Sequence, residues 1–355
     1  MADGQAGSVQ QTSRAANVTT LVRSVAPPPG ALLPITLNDA TIDLALAQQL
    51  GPALGAGLAA GRLRVPAWRR DRLVWEHQMC AASHVVRERA VQRFASRCRE
   101  ANILLLALKG FALVRSAVEP AERSMGDVDL LVPASRWTEA CHLAEKAGFL
   151  EPRLEARRFT MAHDYVRTFT DRAGVTIEVH RYVCDGSLFR IAHADLFSRA
   201  RSENDAVGSL DEGDLFLTLA AHAAKHTFDL PLRSLVDGIF LLRRRQLDWG
   251  AVLGRAVAWR MTSALSMWLQ TLAELAPDIA MPVVGHPSPW DEMRRWVWAH
   301  TSHDSPWQRF LRLAWLTDSR LAWMRHVMTR GAFRGVDLVV STLDGHGAAP
   351  KPPPA

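Results

Sequence analysis

Residues 103–132 contain the pattern that most restricts the fold of this chain. An apolar run at Ile103–Leu108 is followed by a glycine turn at Lys109-Gly110 and a short helical stretch. A second apolar run, Val128–Val132, begins within the next twenty residues. Short apolar runs bounded by turn residues are typical of buried strands, so this segment predicts a strand–turn–helix–strand unit.

Three carboxylates occur on the predicted strands. Asp127 and Asp129 are two residues apart at the start of the second strand, and Glu178 lies in a later alternating run, residues 175–180. Side chains alternate along a strand, so Asp127 and Asp129 point to the same face. Paired carboxylate oxygens suit a pair of Mg²⁺ ions that hold a triphosphate.

The glycine turn adds a phosphate-binding feature to this carboxylate pair. Backbone N–H groups at a turn that opens a helix can hold phosphate oxygens, assisted by the helix dipole. Lys109 and Gly110 lie at that turn, and Arg123 precedes the acidic strand. A phosphoryl- or nucleotidyl-transfer site is therefore the leading hypothesis.

The pattern along the chain predicts an α+β protein with a small mixed β-sheet core, N-terminal helices and a C-terminal all-helical domain. Low-complexity composition predicts a disordered leader and a flexible tail. Either Asn38 or Asp39 is expected to cap the first helix of the N-terminal segment. The predicted units are a leader (1–34), an N-terminal helical segment (35–101), a catalytic α/β core (102–210), a helical domain (211–335) and a tail (336–355).

Composition narrows the class of protein. Four widely separated cysteines form no Cys-x-x-Cys pair, which disfavours a structural zinc site or a disulfide framework and fits the cytoplasm. No signal-peptide pattern and no apolar run of membrane-spanning length occurs. The net charge of +6 suits a phosphate-bearing ligand, but no nucleic-acid-binding module is recognisable, so nucleic acid is a disfavoured acceptor.

Several motifs together resemble a known family. They are Leu108-Lys109-Gly110, Arg123-x-x-x-Asp127-Val-Asp129, Glu178-Val-His180, Leu219-x-x-His222-x-x-Lys225-His226 and Leu232-Arg233-x-Leu235-x-x-Asp237-Gly238. This combination resembles the uncharacterised bacterial nucleotidyltransferases of the DNA polymerase β-like superfamily, over roughly residues 95–245. The resemblance implies transfer of a nucleoside monophosphate from an NTP, with ATP as the default, and release of pyrophosphate.

The resemblance also implies roles for particular residues. Asp127, Asp129 and Glu178 would hold Mg²⁺ or Mn²⁺, and Glu178 would also accept the proton of the attacking hydroxyl. Lys109 and Gly110 would lie at the phosphates, with Arg123 beside them. The acceptor would be a hydroxyl or phosphate of an unknown small molecule, peptide or protein.

Further polar residues are candidates for contact with substrate. His180 shares a face with Glu178, so it either orients a metal ligand, contacts substrate or packs as an ordinary histidine. His222, Lys225 and His226 are spaced to share one side of a helix, where a substrate-side role, structural packing or a zinc pair are the alternatives. Arg233 and Asp237 are four residues apart and predict a salt bridge within one helix.

One departure from the superfamily pattern opens an alternative function. The superfamily usually has serine after the glycine of the turn, whereas Phe111 follows Gly110 here. A catalytically silent module that binds a nucleotide or a partner is therefore the second hypothesis, and an Asp-x-Asp glycosyltransferase is the third. Residues 307–334 place tryptophans among arginines, for which we favour burial over weak contact with a membrane surface.

Overall fold

The computed structural model describes residues 16–31, 33–151, 165–184, 188–201, 206–284, 316–318 and 324. The first helical segment, α1, covers residues 16–25. Its Leu21, Val22 and Val25 are buried in the core. The prediction of a disordered leader through residue 34 is therefore wrong for this segment.

A helical layer precedes the sheet. It comprises β1 (Ile35–Thr36), α2 (Asp39–Ala47), α3 (Gly51–Ala59), β2 (Leu63–Arg64) and α4 (Ala67–Glu100). The Asn38 side chain accepts a hydrogen bond from the Thr41 N–H at 2.9 Å, so the predicted cap is present. Gln49, with φ +57°, separates α2 from α3, and Gly51-Pro52 begins α3. Pro is suited to the first turn of a helix because its missing N–H has no partner there.

The central unit is a five-stranded mixed sheet with flanking helices. Its elements are β3 (Leu105–Ala107), α5 (Lys109–Ser116), β4 (Asp127–Leu131), α6 (Trp137–Lys146), β5 (Val166–Thr170), β6 (Thr176–His180), α7 (His193–Arg199) and β7 (Val207–Gly208). The strand order is β5-β6-β4-β3-β7. The β4–β6 and β3–β7 pairs are parallel, and the other two pairs are antiparallel.

Four helices follow the sheet: α8 (Glu212–Lys225), α9 (Leu232–Arg244), α10 (Trp249–Ala258) and α11 (Thr262–Leu275). Gly238 of α9 packs against α11, since a Cβ there would lie 2.5 Å from Cζ2 of the buried Trp268. The predicted α+β class, with a small mixed sheet and helices on both sides of it in the chain, is confirmed.

Two predictions concern the C-terminal part. Among the helices of the described ranges, none combines the length and apolar character that a bilayer-spanning helix requires. The segment 307–334, for which burial and membrane-surface contact were the alternatives, lies outside the described residues apart from 316–318 and 324. The predicted tail lies outside them entirely.

Candidate active site

The three predicted carboxylates come from two neighbouring strands. β4 and β6 are parallel, with Asp129 opposite Glu178 and Asp127 opposite Thr176. Residues opposite each other on paired strands point to the same face, so this register brings the Asp129 and Glu178 carboxylates together. Asp129 is 4% exposed, which places one of these charges almost wholly inside the protein.

Lys109 reaches the carboxylates from the turn after β3. The Leu108 N–H donates to the Asp129 carbonyl at 3.0 Å, and Lys109 then adopts the left-handed conformation with φ +48°. Its ammonium donates to Oδ1 of Asp129 and lies 3.7 Å from Oε2 of Glu178. The lysine predicted at the phosphates therefore neutralises the acidic pair in this structure.

His180 completes the buried cluster. Its Nε2 donates to Oδ1 of Asp129 at 2.9 Å and to Oε2 of Glu178 at 3.1 Å. The imidazole is buried, and its Nδ1 has no hydrogen-bond partner among the residues that the structure describes. His180 thus holds the two carboxylates in their relative positions. Of the three sequence alternatives, namely orienting a metal ligand, contacting substrate and packing as an ordinary histidine, this contact fits the first, and a role for His180 stays a prediction.

The surroundings shift the pKa values of Asp127 and Asp129 in opposite directions. Burial opposes ionisation of Asp129, but the hydrogen bond from His180 and the charge of Lys109 outweigh it and lower its pKa. Burial, followed by the charges of Asp129 and Glu178, raises the pKa of Asp127. The site therefore contains one strongly anionic carboxylate and one that is destabilised as an anion until further positive charge arrives.

A possible ligand set for a cation differs from the predicted one. Donor atoms of Asp129, Glu178 and His180 lie within 4.8 Å of one another. Asp127 is not part of this group, although it lines the adjoining cleft. Two carboxylates and an imidazole can ligate a divalent cation, and the oxygen donors suit Mg²⁺ or Mn²⁺.

A cleft of about 330 Å³ adjoins these groups, a size at the lower end for a small-molecule site. One wall comes from the sheet and the α5 turn, and the other comes from the end of α8 and the start of α9. The lining residues are Lys109, Gly110, Arg123, Met125, Gly126, Asp127, Asp129, Leu219, His222, His226, Asp229, Leu230, Pro231, Arg233, Ser234 and Asp237.

Arg123 is bound differently from what the sequence predicts. Its Nε and Nη2 each donate to a carboxylate oxygen of Asp237 at 2.7 Å, and both side chains are buried. The guanidinium also lies against Gly110, because a Cβ at that glycine would be 3.2 Å from Cζ of Arg123. The predicted Arg233–Asp237 salt bridge is wrong, since Asp237 pairs with Arg123 instead.

Of the three predicted substrate-side residues at α8, the two histidines line the cleft and the lysine does not. His222 and His226 line the cleft, and their rings are 4.7 Å apart. Burial, followed by the charge of Lys109, lowers the pKa of His222 well below its ordinary value, so this imidazole is neutral near pH 7. Lys225 does not line the cleft, and its ammonium donates to the Tyr165 hydroxyl.

Residues that sequence reasoning did not assign to the site also contribute to the cleft. Arg233 and Ser234 line it from the first turn of α9. Gln49 supports this wall, since it accepts a hydrogen bond from Arg233, and its carbonyl accepts one from Ser124 Oγ at 3.0 Å. The sequence signal for this wall is the motif from Leu232 to Gly238, from which the sequence analysis predicts a salt bridge within one helix.

The family comparison agrees with this geometry. The model of a family described as uncharacterised nucleotidyltransferase matches residues 37–277, about two thirds of the chain. The chain belongs to that family. The family assignment from the motifs is thereby confirmed, and the match covers helices α2 to α4, the sheet and helices α8 to α11. A search of curated proteins found no match to the chain.

Proposed function

We propose that this protein is a divalent-metal-dependent nucleotidyltransferase. It would move the nucleoside monophosphate of an NTP, with ATP as the default, to a hydroxyl or phosphate of an acceptor and release pyrophosphate. The observation that carries this proposal is the register of two parallel strands, which puts Glu178 beside Asp129, a residue that lines the cleft. The family of the chain supports the same class of reaction.

The residues present fit a divalent cation. The carboxylates of Asp129 and Glu178 converge, and Asp127 is disfavoured as an anion by its neighbours, a condition that added positive charge relieves. We propose Asp127, Asp129 and Glu178 as the ligands of Mg²⁺ or Mn²⁺. When bound, such ions neutralise charge on the triphosphate and on the leaving pyrophosphate.

The chain itself would position the reactants and remove a proton. The acceptor oxygen forms a bond to the α-phosphorus, the bond from that phosphorus to the bridging oxygen breaks, and pyrophosphate leaves with the electron pair. Where the acceptor is a hydroxyl, a carboxylate oxygen of Glu178 accepts its proton. Lys109 pairs with Asp129 in this structure and lines the cleft next to Gly110. With an NTP bound, its ammonium would contact the phosphates. Such transfers depend mainly on positioning and charge neutralisation.

His222 and His226 would face the acceptor side of the cleft. The neutral imidazole of His222 can accept or donate a hydrogen bond, which suits a polar acceptor group. We propose a small molecule, a peptide or a protein as acceptor, because no nucleic-acid-binding module is recognisable in the sequence. Four buried free thiols support a reducing compartment, for which we propose the cytoplasm.

The test is pyrophosphate release from each of the four NTPs with Mg²⁺ or Mn²⁺, with purified protein alone and with cell extract as the source of acceptor. We expect Asp127→Asn/Asp129→Asn to reduce release by roughly 10²-fold or more, since charge stabilisation is the main catalytic term. Asp43→Asn is the matched control because Asp43 is 60% exposed on α2. Equal release by the double variant and the wild type would refute the proposal.

A second candidate function rests on Phe111. This residue is 1% exposed, so the position after Gly110 offers the cleft no hydroxyl for phosphate. A module that binds Mg·NTP without turning it over is the function that this favours. Tight NTP binding with no pyrophosphate release in any extract fraction would support it over the enzyme.

A further inference from the structure

Arg233 is a cation of the cleft wall that forms no salt bridge with a carboxylate of the described residues. Lys109 pairs with Asp129, and Arg123 pairs with Asp237. By contrast, Nη1 of Arg233 donates only to neutral acceptors: the Gln49 side-chain carbonyl, the Ser124 carbonyl at 3.3 Å and Ser124 Oγ at 3.4 Å. Within the described residues, the guanidinium of Arg233 therefore has no directly bound anion, and the carboxylates of Asp237 and Asp127 act on it only at longer range.

The guanidinium of Arg233 also has unused hydrogen-bonding capacity. Its Nε is buried and has no hydrogen-bond partner in the described part of the chain. A buried donor without an acceptor is unfavourable, and so is a half-buried cation without an anion. Burial and the charge of Arg123 lower the pKa of Arg233, and they outweigh the charges of Asp237 and Asp127, which raise it. An anion in the cleft would relieve both deficits.

The position of Arg233 indicates which anion fits. It lies in the first turn of α9, and Pro231 and Ser234 of the same turn also line the cleft. Across the cleft are Lys109 and Gly110. A planar guanidinium matches the oxygens of a phosphate group through two parallel hydrogen bonds, so a phosphate at this wall would supply the bound anion that Arg233 does not have.

We propose that Arg233 binds the terminal phosphates of the triphosphate, the part that leaves as pyrophosphate. This inference rests on the proposed function for the identity of the ligand. A phosphate on the acceptor offers the same chemistry. We commit to the triphosphate because Arg233 shares the cleft with the Gly110 turn.

The test measures binding of three probes by calorimetry at saturating Mg²⁺: inorganic tripolyphosphate, a non-hydrolysable NTP and the matching nucleoside monophosphate. We expect Arg233→Met to weaken binding of the first two by roughly 10- to 100-fold, the usual range for a charge-assisted hydrogen bond. Binding of the monophosphate should stay within about threefold. Arg233→Lys keeps the charge without the planar fork and should give an intermediate loss.

Two control variants separate anion binding from other effects. Arg97→Met removes one exposed cation of α4 away from the cleft and should leave all three affinities unchanged. Gln49→Asn shortens the amide that holds Arg233, at a position whose left-handed backbone suits asparagine. If Arg233 acted only by tethering the wall, Gln49→Asn and Arg233→Met would lose the same affinity. That result would overturn the proposal.

The remaining outcomes distinguish this inference from the proposed function. Pyrophosphate release that needs both aspartates, together with unchanged tripolyphosphate binding by Arg233→Met, overturns the inference alone. Arg233-dependent binding of tripolyphosphate without any turnover supports the inference and removes the enzyme. A selective loss of monophosphate binding moves Arg233 to another phosphate and also overturns the proposal.

Discussion

The buried pair of Arg123 and Asp237 leads to a quantitative prediction about stability. Asp237→Ala leaves the guanidinium of Arg123 inside the protein, where its Nη1 also donates to the Ser124 carbonyl and its two bonds to Asp237 are lost. Removing one member of a buried ion pair costs about 3–5 kcal/mol of the free energy of unfolding. We therefore expect Asp237→Ala to fall in that range.

A double-mutant cycle isolates the pair itself. Arg123→Met removes the cation and leaves the carboxylate of Asp237 buried, whereas Arg123→Met/Asp237→Ala removes both charges. Because each single variant strands one charge and the double variant strands none, the two costs should not add. The expected coupling energy is about 2–3 kcal/mol, measured by urea unfolding followed by circular dichroism.

The chain contains a matched pair for comparison. Arg201 and Glu212 form the same two-bond geometry, at 2.8 and 2.7 Å, but the arginine side chain is 60% exposed. Exposed pairs are worth about 0–1 kcal/mol. If the cycle at Arg123 and Asp237 gave no more coupling than the cycle at Arg201 and Glu212, burial would not determine the strength of this contact, and the reasoning would be refuted.

Three further predictions follow from other parts of the structure. Gly238→Ala should destabilise the protein by about 1–3 kcal/mol in the urea assay, because the new methyl group would meet Trp268. Gly254→Ala on α10 should stabilise it by about 0.5–1 kcal/mol, because there is open space around that position and alanine favours a helix more than glycine does. Burial lowers the pKa of His193 to about 4 from 6.5, so its contribution of up to about 3 kcal/mol should be present above pH 6.5 and be lost as pH falls towards 4. His193→Gln should flatten that part of the stability profile, and an unchanged slope would contradict the assignment. His180→Gln, which keeps one donor but cannot bridge both carboxylates as the imidazole does, should weaken Mn²⁺ binding in a fluorescence or calorimetric titration by roughly tenfold, the lower end for a residue that orients ligands.

The acidic strands were predictable because their signals are local. Alternation places Glu178 and His180 on one face, and the apolar residues around Asp129 require a buried strand. The sequence could not predict the partner of Arg123, which lies 114 residues away on a helix whose position depends on the packed fold. The i,i+4 rule pointed to Arg233 for Asp237, but a buried tertiary partner replaced the local one.

For the helix at residues 16–25, by contrast, the prediction was wrong although the sequence contains a local signal. Val18, Leu21, Val22 and Val25 are spaced as one helical face, and the last three are fully buried. We gave more weight to the Ser- and Thr-rich composition of the surrounding leader than to this spacing. The signal was therefore present in the sequence, and composition was the less informative guide.

The long helix α4 has a consequence for how the site unfolds. Its 34 residues span about 50 Å. Three of its side chains bind main-chain carbonyls of the loop before Asp127: His77 at Ala121, Cys80 at Pro120 and Arg87 at Met125. This loop also carries Arg123, so its shape is held by residues that precede the sheet in the chain.

The sequence analysis places a boundary between the N-terminal helical segment and the α/β core at residue 101. Because α4 binds the loop before Asp127, we do not expect the two sides of that boundary to unfold independently. A fragment beginning at residue 102 would lose the three α4 donors of that loop. In native-state hydrogen exchange, amides of residues 121–125 that are protected should open together with those of α4, at a free energy close to that of global unfolding. We therefore expect the acidic strands and α4 to unfold as one thermodynamic unit.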